Sequence, residues 1–273
     1  MSIEVLFLGT GTSHGVPMIG CDCSVCRSAD PRDKRNRCSV LISHPGGSIL
    51  VDTPPELRLS CIANDVRSVD AVLYTHHHAD HIVGLDDMRR FNCLSGSAVP
   101  CYGSVRTLCE IRQTFRYAFH TEHLGGGIPH LRLIEVGGPF EAAGLAVEPV
   151  RVLHGCTEVL GYRIGSFAYV TDVKTLPPAA VERLTGLDTL VLGVLRHRPH
   201  STHLSVSEAL DLLDVLKPRR AFFTHIAHNL GHAETEARLP DNVRLAYDGL
   251  LIGVAEPDED RSRSTGADNL QNT

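Results

Sequence analysis

The chain has 273 residues, 42% of them hydrophobic and 21% charged, with a formal net charge of −6. That length and apolar content suffice for a sizeable core. The acidic balance excludes a broad positive field for non-specific binding to nucleic acid or to an anionic membrane, so an anionic substrate must be met locally.

The first predicted element is a strand over 3–9, IEVLFLG. Its apolar run is short, an early glutamate precedes it and no basic flank is present, so it reads as a strand rather than a signal peptide. No run in the chain approaches the ~20 apolar residues of a membrane helix. The glycine-rich LGTGTSHGVP (8–17) follows. It lacks the G-K-[ST] of a nucleotide P-loop, so Gly9 and Gly11 are expected to supply unusual backbone angles instead. Next comes GCDCSVC (20–26), with Cys21, Cys23 and Cys26. With no export signal the expected compartment is a reducing cytoplasm, where a disulfide framework is disfavoured, and nine cysteines cannot all pair. Three thiolates this close read as most of a closed, tetrahedral zinc site. The six other cysteines, Cys38, Cys61, Cys93, Cys101, Cys109 and Cys156, read as small buried hydrophobes.

Strands are predicted at 39–44, 48–53 and 70–76, with RSVD (67–70) a helical candidate ahead of the third. Asp52 ends the second of these strands. It either caps the turn before Pro54 and Pro55 or accepts a proton from a ligand imidazole. THHHADH (75–81) follows the third and fits H-x-H-x-D-H at His76, His78, Asp80 and His81. In extended chain, residues two apart point the same way, so His76 and His78 can reach one cation together. The chain then turns and presents Asp80 and His81 to a neighbouring cation, while His77 faces away. Imidazole and carboxylate suit zinc, manganese or iron.

Helices are predicted over 84–94 and 105–119, then strands at 145–154, 161–165 and 167–172, a helix over 177–186 and a strand at 189–195. Arg89, in the first helix, reads by itself as a solvated charge. His203 precedes a helix over 205–217 that carries a serine N-cap and Glu208 three residues on. Strands at 221–226 and 242–254 complete the pattern, and the polar stretch 256–273 reads as a disordered tail. His154, Asp172 and His225 each lie at the end of an apolar run, where a sheet delivers side chains to its rim. No linker is visible, so residues 1–255 read as one domain of two sheets between helical layers.

Taken together, LGTGTSHGVP, GCDCSVC, THHHADHIVGLDDMR (75–89), THIAH (224–228) and YDGLLIGVA (247–255) resemble the metallo-β-lactamase superfamily, and within it the PhnP-type phosphodiesterases, over nearly the whole chain. The resemblance implies an α/β fold, a four-layer αββα sandwich of two mixed β-sheets flanked by helices. It implies a pair of divalent ions, manganese or zinc. His76, His78 and His154 would bind one, Asp80, His81 and His225 the other, and Asp172 would bridge them. It supplies the fourth ligand of the structural zinc as His228, beside Cys21, Cys23 and Cys26. It matches His203 to a histidine that protonates the leaving oxygen or binds phosphate, and Arg89 to a substrate arginine; the expected catalytic groups are Asp80, Asp172 and His203.

The implied reaction is hydrolysis of small cyclic phosphate diesters, 5-phosphoribosyl 1,2-cyclic phosphate or a related nucleotide-like diester, by attack of hydroxide shared between the ions. A transfer-RNA 3′-processing nuclease of the same superfamily would use a basic arm to hold RNA, and no Lys/Arg- and Gly-rich insertion is present. A thioester or lactam hydrolase would share the metals without the cysteine cluster. A non-enzymatic binding protein would not need every ligand position filled. The expected partner is a small phosphorylated substrate, with neither membrane nor stable nucleic-acid partner; a homodimer is allowed.

Overall fold

Strand β1 (Ile3–Gly9) illustrates how the strands are covered on both faces, with Glu4 exposed and Leu6 half-buried on the outer one. Ile3, Val5 and Phe7 point into a cluster shared by two sheets, while Leu8 points to the opposite side, against helices. Ala71 and Leu73 alternate in the same way with Val72 and Tyr74. A strand covered on both faces reads as a continuous apolar run, which is why these segments stood out in the sequence.

The computed structural model describes residues 2–119 and 127–254; the stretch 256–273 lies outside them. The first half contributes β2 (Ser39–His44), β3 (Gly47–Val51), β4 (Ala71–Leu73), β5 (Val99–Gly103) and β6 (Leu131–Glu135). Its helices are α1 (Leu57–Ala63), α2 (Ala79–Ile82), α3 (Met88–Ser95), α4 (Val105–Thr114) and α5 (Arg116–Phe119). The second half contributes β7 (Phe140–Ala142), β8 (Leu145–His154), β9 (Thr157–Ile164), β10 (Phe167–Val170), β11 (Thr189–Arg196), β12 (Leu204–Ser205), β13 (Arg220–Thr224), β14 (Val243–Leu245) and β15 (Leu251–Val254). Its helices are α6 (Pro178–Leu184), α7 (Val206–Leu216) and α8 (His232–Glu236).

Among the described residues, one sheet runs β15-β1-β2-β3-β4-β5-β6 and the other β14-β13-β11-β10-β9-β8-β7, with β12 beside β11. Both are mixed. β1, β2 and β3 pair antiparallel, then β3 to β6 run parallel; β8, β9 and β10 pair antiparallel, then β10, β11, β13 and β14 run parallel. Phe7, Val40, Ile49, Tyr162, Phe167 and Val191 fill the space between the sheets. Leu57, Met88, Phe91 and Ile111 cover the outer face of the first sheet, and Ala180, Leu184, Ala209 and Leu213 that of the second. The fold is therefore an αββα sandwich.

Several elements differ from the sequence expectation. The run 242–254 is two strands in two different sheets. β14 pairs with β13, a turn at Tyr247–Leu250 includes Gly249 at φ +87°, and β15 then pairs with β1. The helix predicted over 105–119 breaks at Phe115, which has left helical geometry (ψ 41°). The 84–94 helix is a 3₁₀ turn (Val83–Asp87) running into α3, and RSVD (67–70) is not helical but irregular chain between α1 and β4. Strands β5, β6 and β7 and helix α1 were not expected; α1 is only seven residues long with apolar and polar positions mixed. The capping box of α7 is present: Ser205 N donates to Glu208 Oε2 at 2.8 Å, and Ser205 Oγ accepts from Glu208 N at 3.4 Å. Gly9 and Gly11 do not adopt positive φ. They are glycines because a Cβ would meet backbone, at Arg37 O for Gly9 and at Arg35 O, 2.9 Å away, for Gly11.

Candidate metal centre

The parallel strands end along one rim, and their first post-strand residues carry the chemistry, as in other open α/β sheets. Asp52 follows β3, Thr75 to His78 follow β4, Asp172 follows β10 and His225 follows β13, while His154 ends β8. Asp80 and His81 sit on α2, with His78 as its N-cap residue. Asp52, Asp172 and His225 all have positive φ, 62°, 44° and 60°. Asp and His tolerate this region better than most residues, but a cluster of such strain marks a functional site.

Six of the seven sequence-predicted ligands fall into two groups, while His154, expected beside His76 and His78, is grouped with Asp172 and His203 instead. Donor atoms of His76, His78 and Asp172 lie within 4.8 Å of one another, as do those of Asp80, His81 and His225. Asp172 faces both groups. Its Oδ2 is 3.8 Å from His76 Nε2, and its Oδ1 is 3.1 Å from His225 Nε2 and 3.4 Å from His81 Nε2. Asp80 Oδ2 is 3.4 Å from His81 Nε2 and 3.9 Å from His225 Nε2. An ion bound tetrahedrally at about 2.1 Å would set its donors roughly 3.4 Å apart, so this spacing suits one. His76 Nε2 and His78 Nδ1 approach to 2.9 Å, which two lone pairs tolerate only with a cation or a proton between them. His81 Nε2 and both nitrogens of His225 are buried without a hydrogen-bond partner. Orphaned buried polar atoms are rare and call for a ligand.

The opposite ring nitrogens are anchored. His81 Nδ1 donates to Asp52 Oδ2 at 2.7 Å. His76 Nδ1 lies 3.0 Å from Thr75 Oγ1, which donates to the same Asp52 oxygen at 2.7 Å, and Thr75 N donates to Asp52 Oδ1 at 2.8 Å. His154 Nδ1 donates to Thr202 O at 2.8 Å. Each contact fixes a tautomer and turns the other nitrogen to the centre. Asp52 thus touches a candidate ligand and does not serve only as a turn cap. Thr75 and Thr202 were not foreseen; nothing in local spacing distinguishes them from ordinary threonines.

Burial, then the neighbouring His81, holds His76 neutral, its pKa well below the usual histidine value, and burial also lowers His78. Burial opposes charge on Asp172 and Asp80, but the surrounding histidines prevail and hold both carboxyls well below the usual range. Burial likewise opposes charge on His81, yet Asp172, Asp80 and Asp52 together raise its pKa well above the ordinary value. Two buried carboxylates, Asp52 and Asp172, and the half-buried Asp80 converge here, and the site needs positive charge that a divalent cation would supply.

His203 stacks on His225 with ring centroids 4.8 Å apart and lies 4.4 Å from His154. Its donor atom also falls within ligand distance of His154 and Asp172, a grouping the sequence did not indicate. Burial, with His225 beside it, pushes its pKa down to about 3, so it stands as a neutral imidazole. His197 bonds Thr235 Oγ1 at 3.2 Å, whereas His200 packs 5.3 Å from the His203 ring. His77 faces a separate pocket of about 290 Å³ with Ser104, Arg106 and Arg151.

Arg89 is not among the groups brought to the rim. It pairs with Asp86 at 3.2 Å and lines a groove of about 570 Å³ with Leu57, Ile62, Phe91 and Leu94. The resemblance that suggested a substrate contact is not matched by its surroundings, which are those of a solvated charge on the outer helical layer.

A second centre lies beside the first. Cys21, Cys23, Cys26 and His228 present donor atoms within 4.8 Å of one another, and His228 Nδ1 is 3.2 Å from Cys21 Sγ and 3.5 Å from Cys23 Sγ. A hydrogen bond from Cys26 N, outweighing the opposing burial, lowers the Cys23 thiol to about 6, a thiolate ready to ligate. Burial pushes the Cys26 thiol up to about 11, so it would ligate by giving up its proton to a bound ion; three cysteines and an imidazole make a closed zinc set. Of the other cysteines, Cys38, Cys61 and Cys101 are buried as expected, but Cys93, Cys109 and Cys156 are exposed on α3, α4 and the β8–β9 turn.

Comparison with known proteins agrees with this geometry. A beta-lactamase superfamily domain model matches residues 47–226. A solved structure described as a new diphosphatase from the PhnP family is 41% identical, with a TM-score of 0.87 over 93% of this chain and 98% of that one. The octanoyltransferase of Porphyromonas gingivalis is 39% identical over 93% of this chain, which spans about half (52%) of that relative's length. Zinc-bound PqqB from Methylobacterium extorquens shares the fold at 21% identity, with a TM-score of 0.76 over 91% of this chain and 99% of that one. The chain belongs to the metallo-β-lactamase superfamily and, within it, to the PhnP type.

Proposed function

We propose that this protein is a dinuclear metal-dependent phosphodiesterase acting on small cyclic phosphate diesters, 5-phosphoribosyl 1,2-cyclic phosphate or a nucleotide-like relative. The observation that carries the reading is the carboxylate of Asp172, whose two oxygens face two separate groups of histidines. His76, His78 and His154 would hold one ion and Asp80, His81 and His225 the other, manganese or zinc in each; Cys21, Cys23, Cys26 and His228 would hold a structural zinc. Two such ions lower the pKa of water and neutralise phosphoryl charge during in-line displacement. The chain's own groups do the rest. Asp52 holds His81 directly and His76 through Thr75. His203, beside the centre and neutral, hydrogen-bonds a phosphoryl or leaving oxygen. Apart from the ions, the site carries net negative charge from its carboxylates, which favours a substrate with few phosphates over a polyanion such as RNA. Among the described residues no helix is long and apolar enough to cross a membrane. The reading is of a cytoplasmic enzyme with no stable nucleic-acid partner.

A second reading, hydrolysis of a diphosphate linkage, is favoured by the 41% identical relative described as a diphosphatase. Both are tested by supplying manganese-loaded protein with bis(p-nitrophenyl) phosphate, a cyclic phosphate panel, nucleotide diphosphate conjugates and p-nitrophenyl phosphate. Diester cleavage that disappears in Asp172→Ala, with the monoester untouched, supports the leading reading. Turnover confined to diphosphates supports the second, and protein holding both ions that cleaves neither class rules out both.

A further inference from the structure

The segment Thr10–Thr12 is sandwiched between two others. On one side Gly11 N donates to Asn36 O at 2.7 Å. On the other, Ile226 N donates to Thr10 O at 2.9 Å and Thr12 N donates to Ile226 O at 3.1 Å. These last two bonds clamp the residue next to His225, whose φ of 60° would not persist without support.

What fixes Thr10 is its side chain. Oγ1 donates to Asp248 Oδ1 at 2.7 Å and accepts from Arg35 Nη1 at 2.8 Å. Arg35 Nη1 also donates to Ala246 O at 2.6 Å, and Nη2 donates to His232 Nδ1 at 3.1 Å. Asp248 Oδ2 accepts from Asn36 N at 2.6 Å, and His232 N donates to Asp33 Oδ1 at 2.8 Å. Arg35 is only 2% exposed. Burial, then the charges of Arg35 and Arg32, keeps His232 neutral with a pKa of about 4, so its Nδ1 is free to accept. A buried guanidinium is costly to desolvate, and a plain crosslink between segments would be met by neutral groups. This one spans the Thr10–Thr12 segment, the turn after β14 and α8, which surround the loop carrying both His225 and His228.

We infer that Arg35 and Asp248, acting through Thr10, are positioning residues that hold the His225 backbone in its left-handed conformation and so aim its imidazole at Asp80 and Asp172. The inference rests on the two-ion reading of the centre, not on the substrate. An arginine is needed because its planar fork reaches three acceptors at once, which a lysine cannot do. Thr10 is the relay because its hydroxyl both donates to the carboxylate and accepts from the guanidinium.

The test is cobalt(II) titration of the metal-stripped full chain, followed by visible absorption, in which thiolate-ligated and nitrogen/oxygen-ligated cobalt give separate bands. Thr10→Val removes the hydroxyl in a near-isosteric side chain. Its expected effect is a roughly tenfold or greater loss of affinity for one nitrogen/oxygen-ligated ion. The other ion, the thiolate band and the melting temperature stay close to wild type, Thr10→Ser restores binding, and Arg35→Lys repeats the selective loss. Wild-type cobalt affinity in Thr10→Val overturns the inference. So does weakening of all three ions together with a fall in melting temperature, which would mark a general packing role. Wild-type protein that takes up a single nitrogen/oxygen-ligated ion contradicts the two-ion reading itself, and this inference with it.

Discussion

Asp52 Oδ2 lies 2.7 Å from His81 Nδ1, and the same oxygen accepts from Thr75, whose hydroxyl meets His76. One buried carboxylate therefore orients a candidate ligand of each ion. Asp52→Asn keeps the shape but can no longer accept at both positions as a charged group. We expect the folded variant to bind divalent ions about 10- to 100-fold more weakly, as partners behind metal ligands usually do. Competition with a chromophoric chelator measures this; unchanged affinity would reduce Asp52 to a turn residue.

His203 and Asp172 separate binding of ions from handling of substrate. His203→Ala should retain its ions while turnover falls about 10²-fold, the scale of a lost acid, base or oxyanion contact. Asp172→Ala should lose ions as well as turnover. Metal analysis beside steady-state kinetics distinguishes them. Loss of an ion from His203→Ala would make it a ligand, as its distance to His154 and Asp172 allows.

The cysteine centre should act locally. Cys26→Ser should remove one zinc per chain and speed amide exchange in residues 20–37 and 225–232, the segments that it and Arg35 join, while exchange in β8 and β9 stays slow. Equal loosening everywhere would show that the zinc supports the whole fold.

Lys174 Nζ lies 2.6 Å from Glu208 Oε1, and this contact, with the Ser205 backbone bond, holds the Glu208 carboxyl down at about 2. A depressed carboxyl contributes stability that is present above its unfolded pKa and lost as pH falls through the folded one, here between 4.5 and about 2. Glu208→Ala should cost about 1 kcal/mol at neutral pH, the scale of a helix cap, and the difference should shrink across that acid window. Urea unfolding of both proteins at a series of pH values checks it; a difference independent of pH would contradict the assignment.

Much of the centre was legible because most candidate ligands sit at strand ends. Apolar runs ending in His154, Asp172 and His225 locate the rim, and H-x-H-x-D-H is local enough to read directly. The supports were not legible. Arg35 and Asp248 are 213 residues apart in sequence and are brought together on Thr10 where β15 returns to pair with β1, a turn hidden inside what reads as a single strand. A mostly apolar stretch reads the same whether it forms one strand or two in different sheets. Arg89 shows a different limit: a matched family position does not say which layer the side chain looks onto, and its other reading, a solvated helix charge, fits its pairing with Asp86. The exposed Cys93, Cys109 and Cys156 show that residue type alone does not place a thiol.

The most direct test is where ions sit. Crystals grown with manganese, measured on both sides of its absorption edge, should show two anomalous peaks about 3.5–4 Å apart, astride the Asp172 carboxylate. A separate zinc peak should lie among Cys21, Cys23, Cys26 and His228. One peak, or two that do not share Asp172, would contradict the bridged centre on which the proposed chemistry depends.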